Sequence, residues 1–223
     1  FYRANRIFEI DLSQAPARIK SETVIKDSAG VLAGLAATLP DAKSATAFDD
    51  TDLAAMINAD GSVNLDPEGI AVASAGGFWL ASEGAGTITG EGGTTSAVSK
   101  ANLLLRVDAG GVIREVVTLP DALNAVQLRF GFEGVAESGG KLFVAFQRAW
   151  NNEANPRIGV YDLTTRTWQF MYYPLEAVAS PNGGWVGLSD ITALGNNRFL
   201  VVERDNQGGP DARIKRLYRI DLS

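Results

Sequence analysis

Short apolar runs separated by Gly- or Asn-rich turns recur along this chain in one fixed order. "EGIAVASAGGFWLASE" (68–83), "EGVAESGGKLFVAFQ" (133–147) and "SDITALGNNRFLVVER" (189–204) each join an apolar strand to a second strand of aromatic and β-branched residues. That pattern is the signature of a β-hairpin. A second element alternates apolar and polar residues and ends in Asp: "RIFEIDL" (6–12), "NLLLRVD" (102–108), "RIGVYDL" (157–163) and "RLYRIDL" (216–222). Fourth strands follow as "VIREVVTL" (112–119) and "TWQFMYY" (167–173), with "RIKSETVIKD" (18–27) a poorer candidate for the same role.

Hairpin plus strand plus strand, repeated, predicts an all-β protein built from four-stranded antiparallel blades, a β-propeller. The repeats start 65 positions apart (Glu68 to Glu133) and then 56 (Glu133 to Ser189), which leaves room for long connections. A β-sandwich with similar hairpins is the alternative, but a Greek key does not require one order to repeat. On the propeller reading the chain opens at the third strand of one blade, completes two blades (68–119 and 133–173) and stops after the third strand of another. About three blades' worth of strands is fewer than the 4–8 of a closed ring. We therefore expect an incomplete ring, residues 1–223 forming the middle part of a longer domain, with the remaining blades supplied by missing residues or a second chain.

The stretch 30–65 fits least. Phe48, Leu53, Met56 and Ile57 have near-helical spacing and predict a short surface helix. Asp50, Asp52, Asn58, Asp60, Asn64 and Asp66 form an oxygen-rich cluster loosely like a calcium loop, although "NADG" is also ordinary turn chemistry. "EGAGTITGEGGTTS" (83–96) and "AWNNEANP" (149–156) read as loops within blades.

Composition narrows the chemistry. The chain has no histidine and no cysteine, which excludes a Ser-His-Asp triad, a thiol nucleophile, disulfides and a His/Cys zinc site. Catalysis, if any, runs on carboxylates, Arg/Lys, Tyr, Ser/Thr or a hard cation held by oxygens. A net charge of −6 without a basic cluster argues against nucleic acid as a partner, and no apolar run is long enough for a membrane span. "GLSDI" has Ile where a nucleophile elbow needs Gly, and "GAGTITG" is neither a dinucleotide fingerprint nor a P-loop.

The innermost strand of each blade lines a propeller's channel, so its first residues reach one mouth. Glu68, Glu133 and Asp190 (or Ser189, one position earlier) stand there in three successive blades. The antiparallel second strands bring Glu83, Gln147 with Arg148, and Glu203 with Arg204 and Asp205 back to the same face. Carboxylates converging there repel one another and recruit a proton or a cation. Calcium is the cation expected among several crowded carboxylates, with Glu68, Glu133, Asp190 and Glu83 as its candidate ligands. Glu68, Glu133, Arg148, Glu203 and Arg204 are the catalytic candidates, and ion pairing of Arg148 and Arg204 with the glutamates is the plainer reading. Trp79, Trp150, Trp168 and Trp185 read first as core or loop anchors, and Trp150 and Trp185, in polar loops, are the two candidates for stacking on a ligand.

In their order, "DPEGIAV…GGFWLASEG", "RFGFEGVA", "KLFVAFQR", "YYPLE", "GLSDITALGNNRFLVVERD" and "RLYRIDL" resemble the bacterial "esterase-like activity of phytase" domain. The resemblance covers essentially all 223 residues, and matches the middle of that domain. A preceding blade with a Gly-Leu-Ser-like strand and a closing Glu-Gly strand, usual in the family, are absent. The resemblance implies a propeller, commonly exported to the periplasm or outside the cell, with an esterase-like or phytase-like activity, but no mechanism to carry over. Two functions follow as expectations. One is a metal-assisted hydrolase of a small-molecule ester or phosphoester; the other is a non-catalytic propeller that binds a small molecule, glycan or protein through its loops.

Overall fold

In the computed structural model, residues 4–39, 46–86, 97–124, 126–150 and 153–222 are described. Much of the 83–96 loop and two residues of the 149–156 loop lie outside that range. The first hairpin is β1 (Arg6–Asp11) with β2 (Arg18–Val24), so the poorer candidate strand does form. A short helix α1 (Asp50–Ala55) precedes the sheet of β3 (Pro67–Val72), β4 (Phe78–Ser82), β5 (Leu103–Val107) and β6 (Ile113–Thr118). A one-turn helix α2 (Asp121–Asn124) leads to β7 (Phe132–Ser138), β8 (Lys141–Phe146), β9 (Arg157–Asp162) and β10 (Thr167–Tyr172). Last come β11 (Val186–Gly195), β12 (Arg198–Asp205) and β13 (Lys215–Asp221). Each sheet runs antiparallel in simple sequence order: two strands, four, four and three. These are two whole blades and two partial ones, an open arc of propeller rather than a closed ring.

The three inner hairpins all turn through residues with positive φ. Gly139–Gly140 and Asn196–Asn197 have positive φ at both central positions, as a type I′ turn requires, while the first hairpin closes through the longer loop 73–77, in which Gly76 and Gly77 also have positive φ. Asn is the non-Gly residue that tolerates this conformation best, which is why the third hairpin can dispense with a glycine pair.

Inner strands pack blade against blade, β3 on β7 and β7 on β11. The glycine after each glutamate makes that approach possible. A Cβ on Gly69 would stand 2.6 Å from the Glu133 carbonyl oxygen, and one on Gly134 would stand 2.5 Å from the Ile191 nitrogen.

Both faces of the middle strands are buried, so they read as continuous apolar runs rather than alternations. On β8, Leu142, Val144 and Phe146 enter a core shared with Trp79, Leu104, Phe132, Trp150 and Tyr161. Phe143 and Ala145 face the other way, toward Ile158, Leu188, Phe199 and Val201. On β5, Leu103 and Leu105 enter a third cluster with Ile25, Leu32, Leu53, Met56 and Val63.

That third cluster corrects the expected surface helix. α1 forms, with an Asp49–Asp52 capping box at its start, but Leu53 and Met56 are fully buried under the first sheet. The calcium-loop resemblance also dissolves into local structure. Asp60 accepts from the Ser62 N–H and hydroxyl, and Asn58 donates to the Ser62 Oγ. Of that cluster, Asp66 alone joins the carboxylates described below.

Candidate functional site

Register decides which residues are equivalent from blade to blade. In each inner hairpin the ladder skips one residue, between Pro67 and Gly69, between Phe132 and Gly134, and between Leu188 and Asp190. The unpaired residue at the bulge is Glu68, then Glu133, then Ser189. Bulges re-aim a side chain, and here they turn all three toward one mouth. Ser189 is therefore the counterpart of the glutamates, and Asp190 takes the place held by Gly69 and Gly134.

The same register places the second-strand ends. Ser82 pairs with Pro67, Phe146 with Phe132 and Glu203 with Leu188, so these three share a position. All three are buried, at 0%, 0% and 1% exposure. One residue further on, Glu83, Gln147 and Arg204 stand at the rim, opposite Asp66, Gly131 and Gly187. Strand alternation thus sends Glu203 away from the cluster. It accepts the Glu176 N–H at 2.7 Å and a hydrogen bond from Tyr173, whose hydroxyl pKa is raised by burial and then by Glu203. Asp205, two residues beyond, is held below the usual carboxylate range by Lys215 and by the N–H groups of Arg213, Ile214 and Gln207. Neither belongs to the rim.

What the fold does bring together is Asp66, Glu68, Glu83, Glu133, Asp190 and Arg204. Asp66, Glu68 and Glu83 each offer a carboxylate oxygen within 4.8 Å of the others. Burial, then Glu68 and Asp66, push the Glu83 carboxyl up to about 7, against the N–H groups of Gly131 and Phe130. Burial, then Glu68 and Glu83, push Glu133 up to about 8, with Arg204 acting in the opposite sense. Glu68 is raised by partial burial and by Asp66, again opposed by Arg204. Asp190 is raised by burial, opposed by the Ile191 N–H that donates to it at 2.8 Å. The difference in exposure between Glu133 and Glu68 follows from position: β7 is flanked by inner strands on both sides, whereas Glu68 borders an open groove of about 340 Å³ shared with Arg6, Phe8 and Ile70.

Arg204 donates from Nε to the Ser189 Oγ at 2.7 Å. Arg148 lies over the rings of Phe130 and Trp185. Phe130 has φ of 57°, a left-handed conformation unusual for a ring-bearing residue. That twist lets the next N–H, of Gly131, donate to Glu83 at 3.1 Å. Of the residues around the rim, the sequence points to Trp185 as a loop tryptophan and to Asp66 only as part of the calcium-loop-like cluster, and it gives no sign of Phe130. Trp150, by contrast, is a core residue.

The sequence profile of the family described as "Phytase-like: Esterase-like activity of phytase" matches residues 2–223. The chain belongs to the phytase-like family. The family's description names an esterase-like, that is hydrolytic, activity, and it covers nearly the whole of this phytase-like chain. No curated protein matches it. Among solved structures, a glycoside hydrolase family 43 arabinoxylan arabinofuranohydrolase from Bacillus subtilis, in complex with cellotetraose, is similar over 74% of this chain at 15% identity, with a TM-score of 0.43. The phytase-like chain spans 36% of that protein's length. Among the described residues, no helix is long and apolar enough to cross a membrane.

Proposed function

We propose that the rim is the active site of a calcium-assisted hydrolase acting on a small-molecule ester or phosphoester. The observation that carries this is the Asp66–Glu68–Glu83 triad of carboxylates, with oxygens within 4.8 Å of one another. Calcium binds oxygens at 2.3–2.6 Å, so two of its ligands can stand up to about 5 Å apart, whereas magnesium at 2.0–2.1 Å limits them to about 4.2 Å. The donor set is all oxygen and all hard, which suits the same ion.

Bound there, calcium would polarise an ester oxygen and acidify a water. The chain's own groups supply the rest. Glu133 lies one strand over and is buried, and burial, the largest cause of its raised pKa, favours its holding a proton that it can give to a leaving alkoxide. Arg204, whose charge acts on both Glu68 and Glu133, would offset negative charge that develops on the reacting group. Asp190, on the next blade, adds a smaller push in the same direction as burial. A periplasmic or extracellular setting accords with this, since extracellular calcium modules work at about 10⁻⁴–10⁻³ M.

The test is turnover of p-nitrophenyl acetate and p-nitrophenyl phosphate with calcium and with chelator. Glu133→Gln should lower kcat by about a hundredfold or more. Equal rates in chelator, in calcium and in the variant would leave a propeller that binds without catalysing.

A further inference from the structure

Alongside the carboxylates runs a layer of opposite character. The rings of Phe130 and Trp185 meet edge to face with 5.8 Å between centroids. The Arg148 guanidinium lies over both, 4.7 Å from Phe130 and 4.9 Å from Trp185. Arg129 covers Phe130 at 4.5 Å, and Arg204 covers Trp185 at 5.2 Å. Three cations and two rings form one continuous stack, with Arg129 exposed and the other four half-buried.

A guanidinium held by its face against a ring keeps its N–H donors pointing outward in a planar fork. That fork matches the paired oxygens of a carboxylate or phosphate. Three such groups set three positive charges in one patch beside the carboxylate rim, in a chain whose net charge is −6. Among the described residues, Arg129 forms no carboxylate ion pair.

The platform is also stiff. The Trp185 backbone N–H donates to Asn206 Oδ1 at 3.0 Å, and the Trp185 carbonyl accepts the Asn206 backbone N–H at 3.0 Å. The Trp185 ring lies over Gly187, where a Cβ would come within 2.9 Å of it. The Phe130 carbonyl accepts from Gln127 Nε2 at 2.7 Å and from the Arg148 N–H at 3.2 Å. Phe130 keeps its left-handed φ of 57° within this frame, and residues held so cluster at binding sites. One residue thereby serves both halves of the rim, its ring facing arginines and its backbone leading into the Gly131–Glu83 hydrogen bond.

We propose that Arg129, Arg148 and Arg204, layered on Phe130 and Trp185, form an oxyanion subsite that holds the anionic end of the substrate beside the carboxylate rim. The assignment of that anion to a substrate rests on the hydrolytic reading above; the oxyanion binding stands on the stack. The substrate class it implies is an ester carrying a free carboxylate or phosphate a few bonds from the scissile linkage. Arg204 joins the two halves, since it stacks on Trp185 and acts on Glu68 and Glu133.

The experiment is calorimetric titration of the full chain, in chelator, with inorganic phosphate and separately with acetate. Saturable binding of one anion per chain is expected, weakened about tenfold or more by Arg148→Gln and by Arg129→Gln. Arg148→Lys, which keeps the charge and loses the fork, should fall between. Glu68→Gln should bind at least as tightly as wild type. Binding of both anions assigns the site to oxyanions in general, and binding of phosphate alone assigns it to phosphoryl groups. Circular dichroism confirms that each variant is folded. Failure of both anions to bind, or binding unchanged in both Gln variants, overturns the proposal. Calcium and turnover play no part, so loss of the hydrolase reading with phosphate binding intact would leave the subsite standing.

Discussion

Glu133 and Ser189 occupy the same position in adjacent blades, each the unpaired residue at the bulge where inner strand leaves second strand. The glutamate is buried among other carboxylates, while the serine accepts a hydrogen bond from Arg204. One repeated backbone device therefore presents acid in two blades and a neutral acceptor for a cation in the third. The rim's chemistry is asymmetric although its scaffold repeats.

The first consequence is a pH dependence. Glu133 and Glu83 have folded pKa values of about 8 and about 7, raised from 4.5. Between 4.5 and those values the folded chain binds more protons than the unfolded one, so its stability falls as pH rises through that window. In chelator, the melting temperature should be higher at pH 5.5 than at pH 8.5. Glu133→Gln should flatten the slope, because an amide needs no proton. A melting temperature that instead rises with pH across the window would show that Glu133 is ionised and paired.

The second concerns the close approach of inner strands. Gly134→Ala puts a methyl 2.5 Å from the Ile191 nitrogen, against backbone rather than a yielding side chain. It should cost about 3 kcal/mol by denaturant unfolding. Gly34→Ala, with open space around it, should stay within about 0.5 kcal/mol of wild type. Equal stabilities for the two variants would mean that β7 and β11 are not packed as described.

These two features mark how far the sequence could be read. The hairpins, the two whole blades and the Glu-Gly pairs were legible, because apolar runs bounded by positive-φ turn residues have few other solutions. Glu83, Glu68 and Glu133 were legible as rim residues for the same reason. Glu203 was misplaced by one residue, since the bulge lies on the partner strand at Ser189 and "VVERD" does not announce which of its residues the rim receives. Asp66 was read with the wrong loop, and nothing in the sequence marked Phe130. Tertiary placement of a loop carries no periodic signal.

A third expectation separates Glu203 from the site. Glu203→Ala leaves the part-buried Glu176 N–H and the Tyr173 hydroxyl without their acceptor and should destabilise by about 2 kcal/mol. It should leave the calcium response untouched. Loss of that response in a folded Glu203→Ala chain would return Glu203 to the rim.

The open arc itself has a measurable consequence. Phe8, Ile10 and Ile19 on the first hairpin and Ile70 and Val72 on β3 are all about half exposed or more. Unpaired strand edges with apolar faces associate. Sedimentation velocity on residues 1–223 should show concentration-dependent association, reduced in Ile70→Lys/Val72→Lys. A monomer at every concentration would indicate that these faces are not adhesive.

Calcium binding at the rim is the central claim, and a thermal melt tests it most directly. Two like charges ~4 Å apart cost about 4 kcal/mol at an effective dielectric of ~20, so a cation entering the Asp66–Glu68–Glu83 triad relieves a large repulsion. At a hundredfold excess over Kd, binding to the folded state adds about 2.7 kcal/mol, or about 5–10 °C in melting temperature for a chain of this size. At pH 7.5, calcium should produce that shift in the wild-type chain and none in Glu68→Gln/Glu133→Gln. Identical wild-type melts in calcium and in chelator would contradict the account and leave the rim a set of protonated and arginine-compensated carboxylates.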